Sequence, residues 1–67
     1  MADYEITKND AGNFLVEART ERAQNRPPVG LPQGLRLVFK GRGDALEFVR
    51  AAEAEGFTFA GRDSLES

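Results

Sequence analysis

The succession of a strand-like, a helix-like and a second strand-like pattern over residues 35–60 constrains the fold of this chain more than any other feature. Leu35, Leu37 and Phe39 occupy every second position, so a strand over residues 35–40 would have one wholly apolar face. Phe57 and Phe59 resume this alternation after the helical segment. The sequence therefore predicts a β–α–β unit, whose crossover should be right-handed if its two strands lie parallel in one sheet.

The helix of this unit has an apolar face and a signal at each end. We expect Asp44 to be its N-cap, because a carboxylate at that position accepts hydrogen bonds from free main-chain N–H groups, and Glu47 completes a capping-box pattern. Gly56 suits the left-handed C-terminal cap. The residues that recur with helical spacing and should pack on the sheet are Ala45, Phe48, Val49 and Ala52.

An N-terminal β-hairpin is predicted to supply the remaining strands. Tyr4 and Ile6 alternate with polar residues, and turn-forming residues follow at positions 9–12. A second strand would then place three apolar residues on one face, namely Phe14, Val16 and Ala18.

A helix remains the alternative for residues 13–24. Apolar residues there also recur with helical spacing, and residues 17–24 are good helix formers. We prefer the hairpin, because Gly12 and Asn13 would occupy the first turns of such a helix. The choice between strand and helix stays open over residues 13–24.

Residues 22–34 form the longest stretch without periodicity, and they contain all three prolines of the chain. We expect a long Pro/Gly-containing loop here. Loops of this length in small domains are usually functional or disordered, so this loop is where we expect a binding role. Residues 62–67 carry no strong pattern and are expected to fray.

The length of the chain limits it to one domain, because 67 residues cannot enclose a second core. We predict a small α+β fold, with the hairpin and the β–α–β unit forming a three- or four-stranded mixed sheet and one helix packed on one face. The order of elements would be β-β-β-α-β. A domain this small buries little apolar surface, so we also expect it to self-associate, most simply as a homodimer.

The chain contains neither cysteine nor histidine. Their absence excludes disulfides, thiolate nucleophiles, cysteine-based zinc sites and a Ser–His–Asp triad. We therefore expect no catalytic activity, no cofactor, no metal and no small-molecule substrate. The sequence has no stretch near the roughly 18 apolar residues of a membrane span and no signal-peptide pattern, so we expect a cytoplasmic protein with no membrane contact.

The charge distribution is the most informative functional feature. Residues 18–43 carry six basic residues against the single acid Glu21, a net of +5, whereas the flanking segments carry net charges of −3 and −4. Guanidinium groups suit phosphate or carboxylate recognition. The same bases could instead form ion pairs with the acids at both ends of the chain. The candidate partner-binding residues are Arg19, Arg22, Arg26, Arg36, Lys40 and Arg42.

Two functions are compatible with these observations. The first is a small non-enzymatic protein-interaction module or regulator, which would act through a sheet edge, the loop or self-association. The alternative is a nucleic-acid-binding domain that uses the basic segment 19–42. The pI near 5.0 and the lack of a stacking set of aromatic residues favour the interaction module.

Overall fold

The computed structural model describes residues 1–66, which form one four-stranded mixed sheet. The strand order is β3-β2-β1-β4, with β2 antiparallel to both β1 and β3, and β4 parallel to β1. This arrangement confirms the predicted small α+β fold. The strands are β1 (Tyr4–Lys8), β2 (Phe14–Ala18), β3 (Arg36–Phe39) and β4 (Phe59–Ala60).

The turn between β1 and β2 is held by the side chain of Asn9. Its Oδ1 accepts hydrogen bonds from the main-chain N–H groups of Ala11 and Asn13, both at 3.0 Å. Gly12 adopts a positive φ of 83°, which favours glycine. This turn fixes the register that pairs Ile6 with Val16, and the predicted hairpin is confirmed.

A short helix, α1 (Glu21–Asn25), follows β2 directly. Thr20 caps it, since the N–H of Ala23 donates to Thr20 Oγ1 at 3.3 Å. Residues 13–24 therefore divide between a strand and a helix. The loop predicted over residues 22–34 was wrong in its first four positions, because the capped turn and the burial of Ala23 make them helical.

The main helix, α2 (Arg42–Ala54), begins earlier than the sequence predicted. The carbonyl of Gly41 already accepts the first helical hydrogen bond, from Ala45 N at 3.2 Å, and Gly41 is the N-cap. Asp44 as N-cap was therefore wrong, because Asp44 lies inside the first turn. Its negative charge is still favourable there, near the positive end of the helix dipole. The four residues predicted to face the sheet are all buried, as expected: Ala45, Phe48, Val49 and Ala52.

The end of α2 is a Schellman motif, as the predicted glycine cap requires. Gly56 has a φ of 95° and donates to Glu53 O at 2.9 Å, while Phe57 N donates to Ala52 O at 3.1 Å. This turn directs the chain into β4, and Phe57 before the strand and Phe59 within it both contact the ring of Tyr4.

The sequence predicts that the C-terminal segment, residues 62–67, frays. Residues Arg62–Leu65 form a 3₁₀ turn whose Leu65 side chain is only 2% exposed. The apolar Leu65 supplies the burial that orders this turn against β1. Position 67 lies outside the described residues.

Tyr4 lies at the centre of the core, between the sheet and α2. Its ring meets Phe48 edge-on at 5.6 Å between centroids and stacks on Phe59 at 5.0 Å. Ile6 and Val16, on the two inner strands, are almost completely buried. Among the strands, the best-covered side chains therefore belong to β1 and β2, and β3 and β4 form the two edges of the sheet.

Candidate functional site

Strand β3 leaves one of its two edges open. The N–H of Ala18 donates to Leu35 O at 2.9 Å, so Leu35 and every second residue after it point their main-chain groups towards β2. The main-chain N–H and C=O groups of the intervening residues, Arg36 and Val38, must therefore point away from the sheet. No main-chain hydrogen bond to either residue from that side occurs among residues 1–66. These groups can pair with another extended chain.

The side chains of β3 are less covered than the sequence predicted. Leu35, expected on a wholly apolar core face, is 61% exposed, and Val38 on the opposite face is 57% exposed. Leu37 and Phe39 are only partly buried against the core. Leu37 stays partly exposed although it lies in the middle of the apolar face, because an edge strand has a neighbour on one side only. Apolar surface therefore accompanies the open main chain.

An open groove of about 490 Å³ lies beside this edge, between the loop after α1, β3 and the first turns of α2. The residues that line it include five apolar ones: Leu31, Pro32, Val38, Phe39 and Phe48. Its charged lining residues are Lys40, Asp44 and Glu47. The groove can receive the apolar side chains of a segment that pairs with β3.

Two of the predicted partner-binding residues form ion pairs on the face of the sheet opposite α2. Arg19 contacts Glu5 at 2.6 Å and Glu17 at 3.7 Å, and Arg36 contacts Glu17 at 3.3 Å. The acids and bases of β1, β2 and β3 thus balance one another across neighbouring strands. The acids near the N-terminus are the partners of these bases.

Arg42 and Arg22 hold other parts of the chain together. Arg42 Nε donates to the carbonyl of Leu65 and so ties the start of α2 to the C-terminal 3₁₀ turn. Arg22 binds Asp3, donates to the carbonyl of Gly56 and lies over the ring of Phe57 at 4.5 Å. Both guanidinium groups therefore have structural partners.

Arg26 and Lys40 are the two predicted residues whose side chains have no hydrogen bond or ion pair within residues 1–66. Lys40 lines the groove beside β3, whereas Arg26 lies after α1 with Glu21 and Asn25 around it. The structure therefore does not bring the six basic residues into one continuous free patch.

Asp3 is the residue that sequence reasoning missed. Its side chain is almost fully buried, with the residue 6% exposed. Oδ1 accepts from Thr20 Oγ1 at 2.6 Å, and Oδ2 accepts from the main-chain N–H of Thr58 at 2.9 Å. The hydrogen bonds from Arg22 hold the pKa of this carboxyl well below its usual range, outweighing the opposite effect of burial. Asp3 thus joins the N-terminus, α1 and the approach to β4.

The described part of the chain contains no group of three or more acidic side chains arranged to hold a metal ion. Every buried side-chain nitrogen and oxygen in residues 1–66 has a hydrogen-bond partner. None of the helices in that range has the length and apolar character needed to cross a membrane.

The fold and the open edge define a small α+β domain that can be extended by one strand. Comparison with protein-family models gave no match, and no curated protein and no solved structure matched the chain either.

Proposed function

We propose that this protein is a small non-enzymatic interaction module that binds an extended protein segment along β3. The observation that carries the proposal is the unpaired main chain of Arg36 and Val38 at the edge of the sheet. A segment that lies beside β3 would form hydrogen bonds with these groups. Main-chain hydrogen bonds of this kind supply binding affinity and require no catalytic residue.

The groove beside β3 supports the same proposal. A strand paired with β3 points alternate side chains to the two faces of the sheet, so half of them would enter the groove near Phe39 and Leu31. The others would lie beside Val38 on the opposite face, where its side chain is exposed. Apolar side chains of a partner would therefore gain burial on both faces.

Nucleic-acid binding by segment 19–42 remains the alternative, and it has less support. Four of the six candidate bases already have partners within the chain: Arg19, Arg22, Arg36 and Arg42. Binding a phosphate chain would require these contacts to break, or would depend on Arg26 and Lys40 alone. Two phosphate contacts give weak binding at physiological salt.

A pair of substitutions at position 38 tests the proposal. Val38→Pro removes the outward N–H without disturbing a hydrogen bond to β2, and proline is tolerated on edge strands in this orientation. Val38→Thr is the matched control, because it changes the side chain and keeps the N–H. Immobilised protein would be challenged with a display library of random peptides.

We expect selected peptides that bind the wild type and Val38→Thr and lose binding to Val38→Pro. Peptides that bind all three proteins equally would contradict strand addition at β3. A protein that captures no peptide but binds a duplex oligonucleotide tightly at physiological salt would favour the nucleic-acid alternative.

A further inference from the structure

We infer that the segment that pairs with β3 is β3 of a second copy of this chain, antiparallel to the first about a two-fold axis at Leu37. This inference rests on the proposed strand addition, and it names the partner and the register. The pairing would join two four-stranded sheets edge to edge into one continuous sheet.

The main chain of β3 limits how two copies can pair. Hydrogen bonds form only between residues whose N–H and C=O groups point outward, which on β3 are Arg36 and Val38. An antiparallel copy can therefore set Arg36 opposite Arg36, Val38 opposite Val38, or Arg36 opposite Val38. These are the three registers that use the exposed edge.

Charge distinguishes the three registers. Pairing Arg36 with Arg36 places two guanidinium groups directly opposite each other. Pairing Val38 with Val38 places Arg36 opposite Lys40 at both ends of the pair, so both of these registers juxtapose like charges. The remaining register, which pairs Arg36 with Val38, places Lys40 opposite Gly34. It is the only one of the three that sets no two cations directly across from each other.

The favoured register also covers the exposed apolar side chains of the strand. Leu37 lies opposite Leu37 of the second copy, and Leu35, which is 61% exposed, lies opposite Phe39. On the other face, the aliphatic part of Arg36 can cover Val38 of the second copy while its guanidinium keeps its contact with Glu17 at 3.3 Å. Apolar contacts thus accompany the main-chain bonds on both faces of the joined sheet.

The other edge of the sheet is less suited to pairing. Strand β4 has only two residues, Phe59 and Ala60, and the 3₁₀ turn that follows packs against β1. Short and covered edges are ways in which proteins avoid edge-to-edge contact. The second copy therefore pairs at β3, and the assembly closes as a dimer.

Variants with a single cysteine can distinguish the three registers. The natural chain contains no cysteine, so the introduced thiol can form a disulfide only with the same thiol of the second copy. Leu37→Cys would place two thiols opposite each other in a non-hydrogen-bonded pair, where the Cα atoms are about 4.5 Å apart and a disulfide fits. Val38→Cys and Arg36→Cys report in the same way on the two rejected registers. Each variant would be oxidised under the same mild conditions after circular dichroism has shown that it is folded.

We expect Leu37→Cys to form disulfide-linked dimers about tenfold faster than Val38→Cys or Arg36→Cys, since only its thiols meet in the inferred register. Faster cross-linking of either control would overturn the inference. So would equally slow cross-linking of all three variants.

A second measurement keeps the test decisive if Leu37→Cys folds poorly. Val38→Lys would place a new cation beside Arg36 of the second copy and should weaken the dimer by about tenfold or more. Val29→Lys is the matched control, because Val29 is 84% exposed and lies outside β3. Light scattering at high micromolar concentration should give a dimer for the wild type and Val29→Lys and a shift towards the 7.4 kDa monomer for Val38→Lys.

The two proposals fail in different ways. A wild type that stays monomeric, yet captures library peptides and loses them in Val38→Pro, would overturn self-pairing and leave strand addition intact. A dimer that persists unchanged in both Val38→Pro and Val38→Lys would show that the second copy binds elsewhere, and would overturn the inference.

Discussion

The guanidinium of Arg22 holds the nearly buried carboxylate of Asp3 with two hydrogen bonds, from Nη2 to Oδ2 at 2.8 Å and from Nε to Oδ1 at 3.2 Å. Thr20 and Thr58 complete the set of donors around the same carboxylate. Three segments that are far apart in the chain therefore meet at one side chain.

Replacing Asp3 with Ala should destabilise the protein by about 2–3 kcal/mol, because the main-chain N–H of Thr58 and the hydroxyl of Thr20 would lose their acceptor in a partly buried place. Chemical denaturation measures this change. Glu5→Ala is the control, since the Glu5–Arg19 pair is exposed and should contribute little. Equal effects of the two substitutions would contradict the structural role of Asp3.

The same carboxylate predicts a loss of stability in acid. Its pKa is lower in the folded than in the unfolded protein, so the unfolded state takes up the proton more readily as the pH falls. The contribution of Asp3 is complete above the unfolded value of about 3.9 and declines as the pH falls below it towards the folded pKa. Thermal melts between neutral pH and pH 3 should show a shallower decline for Asp3→Asn than for the wild type. Parallel curves would show that Asp3 has no such effect.

Gly61→Ala should be far more destabilising than Gly30→Ala. Both glycines have a φ of 81°, so an alanine would adopt the same unfavourable left-handed φ at either position. A Cβ at Gly61 would collide with the carbonyl of Ile6, whereas a Cβ at Gly30 meets no atom within 4 Å. The difference in melting temperature between the variants isolates the collision, and similar melting temperatures would contradict the close packing of this turn on β1.

Thr20→Ala should cost about 1 kcal/mol of stability, the usual effect of removing an N-cap, and more if the lost bond to Asp3 adds to it. Asp44→Ala should cost only about 0.3–0.5 kcal/mol, because Asp44 acts on α2 through the helix dipole alone. Urea titrations of both variants measure the two changes in the free energy of unfolding. A larger effect at Asp44 would restore it as the cap of the main helix.

Binding to a duplex oligonucleotide should be weak and should have a shallow salt dependence. Arg26 and Lys40 are the candidate bases without partners in the described chain, and two phosphate contacts give a log–log slope of about −2. Fluorescence anisotropy over a range of salt concentrations measures this slope. A slope of about −4 or steeper would require the paired arginines to bind phosphate and would favour the nucleic-acid alternative.

Several local features could be predicted from the sequence because their causes are local. The spacing of Ala45, Phe48, Val49 and Ala52 determines which face of α2 is buried. Gly56 provides the backbone conformation that ends the helix, and the residues around Asn9 form the hairpin turn. Thr20 and Glu21 also carry a local helix-start signal, which lies within the segment where strand and helix were both left open.

The sequence by itself determined the hairpin, the buried face of α2 and the glycine that ends it, whereas only the tertiary structure decided which elements are neighbours. The alternation of Leu35, Leu37 and Phe39 is the same for an inner strand and for an edge strand, so it could not reveal the open side of β3. Asp3 meets Thr58 across 55 positions of the chain, and no local pattern encodes such a contact. Periodicity reports which face of an element is apolar, whereas strand order and long-range hydrogen bonds depend on how the whole chain packs around Tyr4 and Ile6.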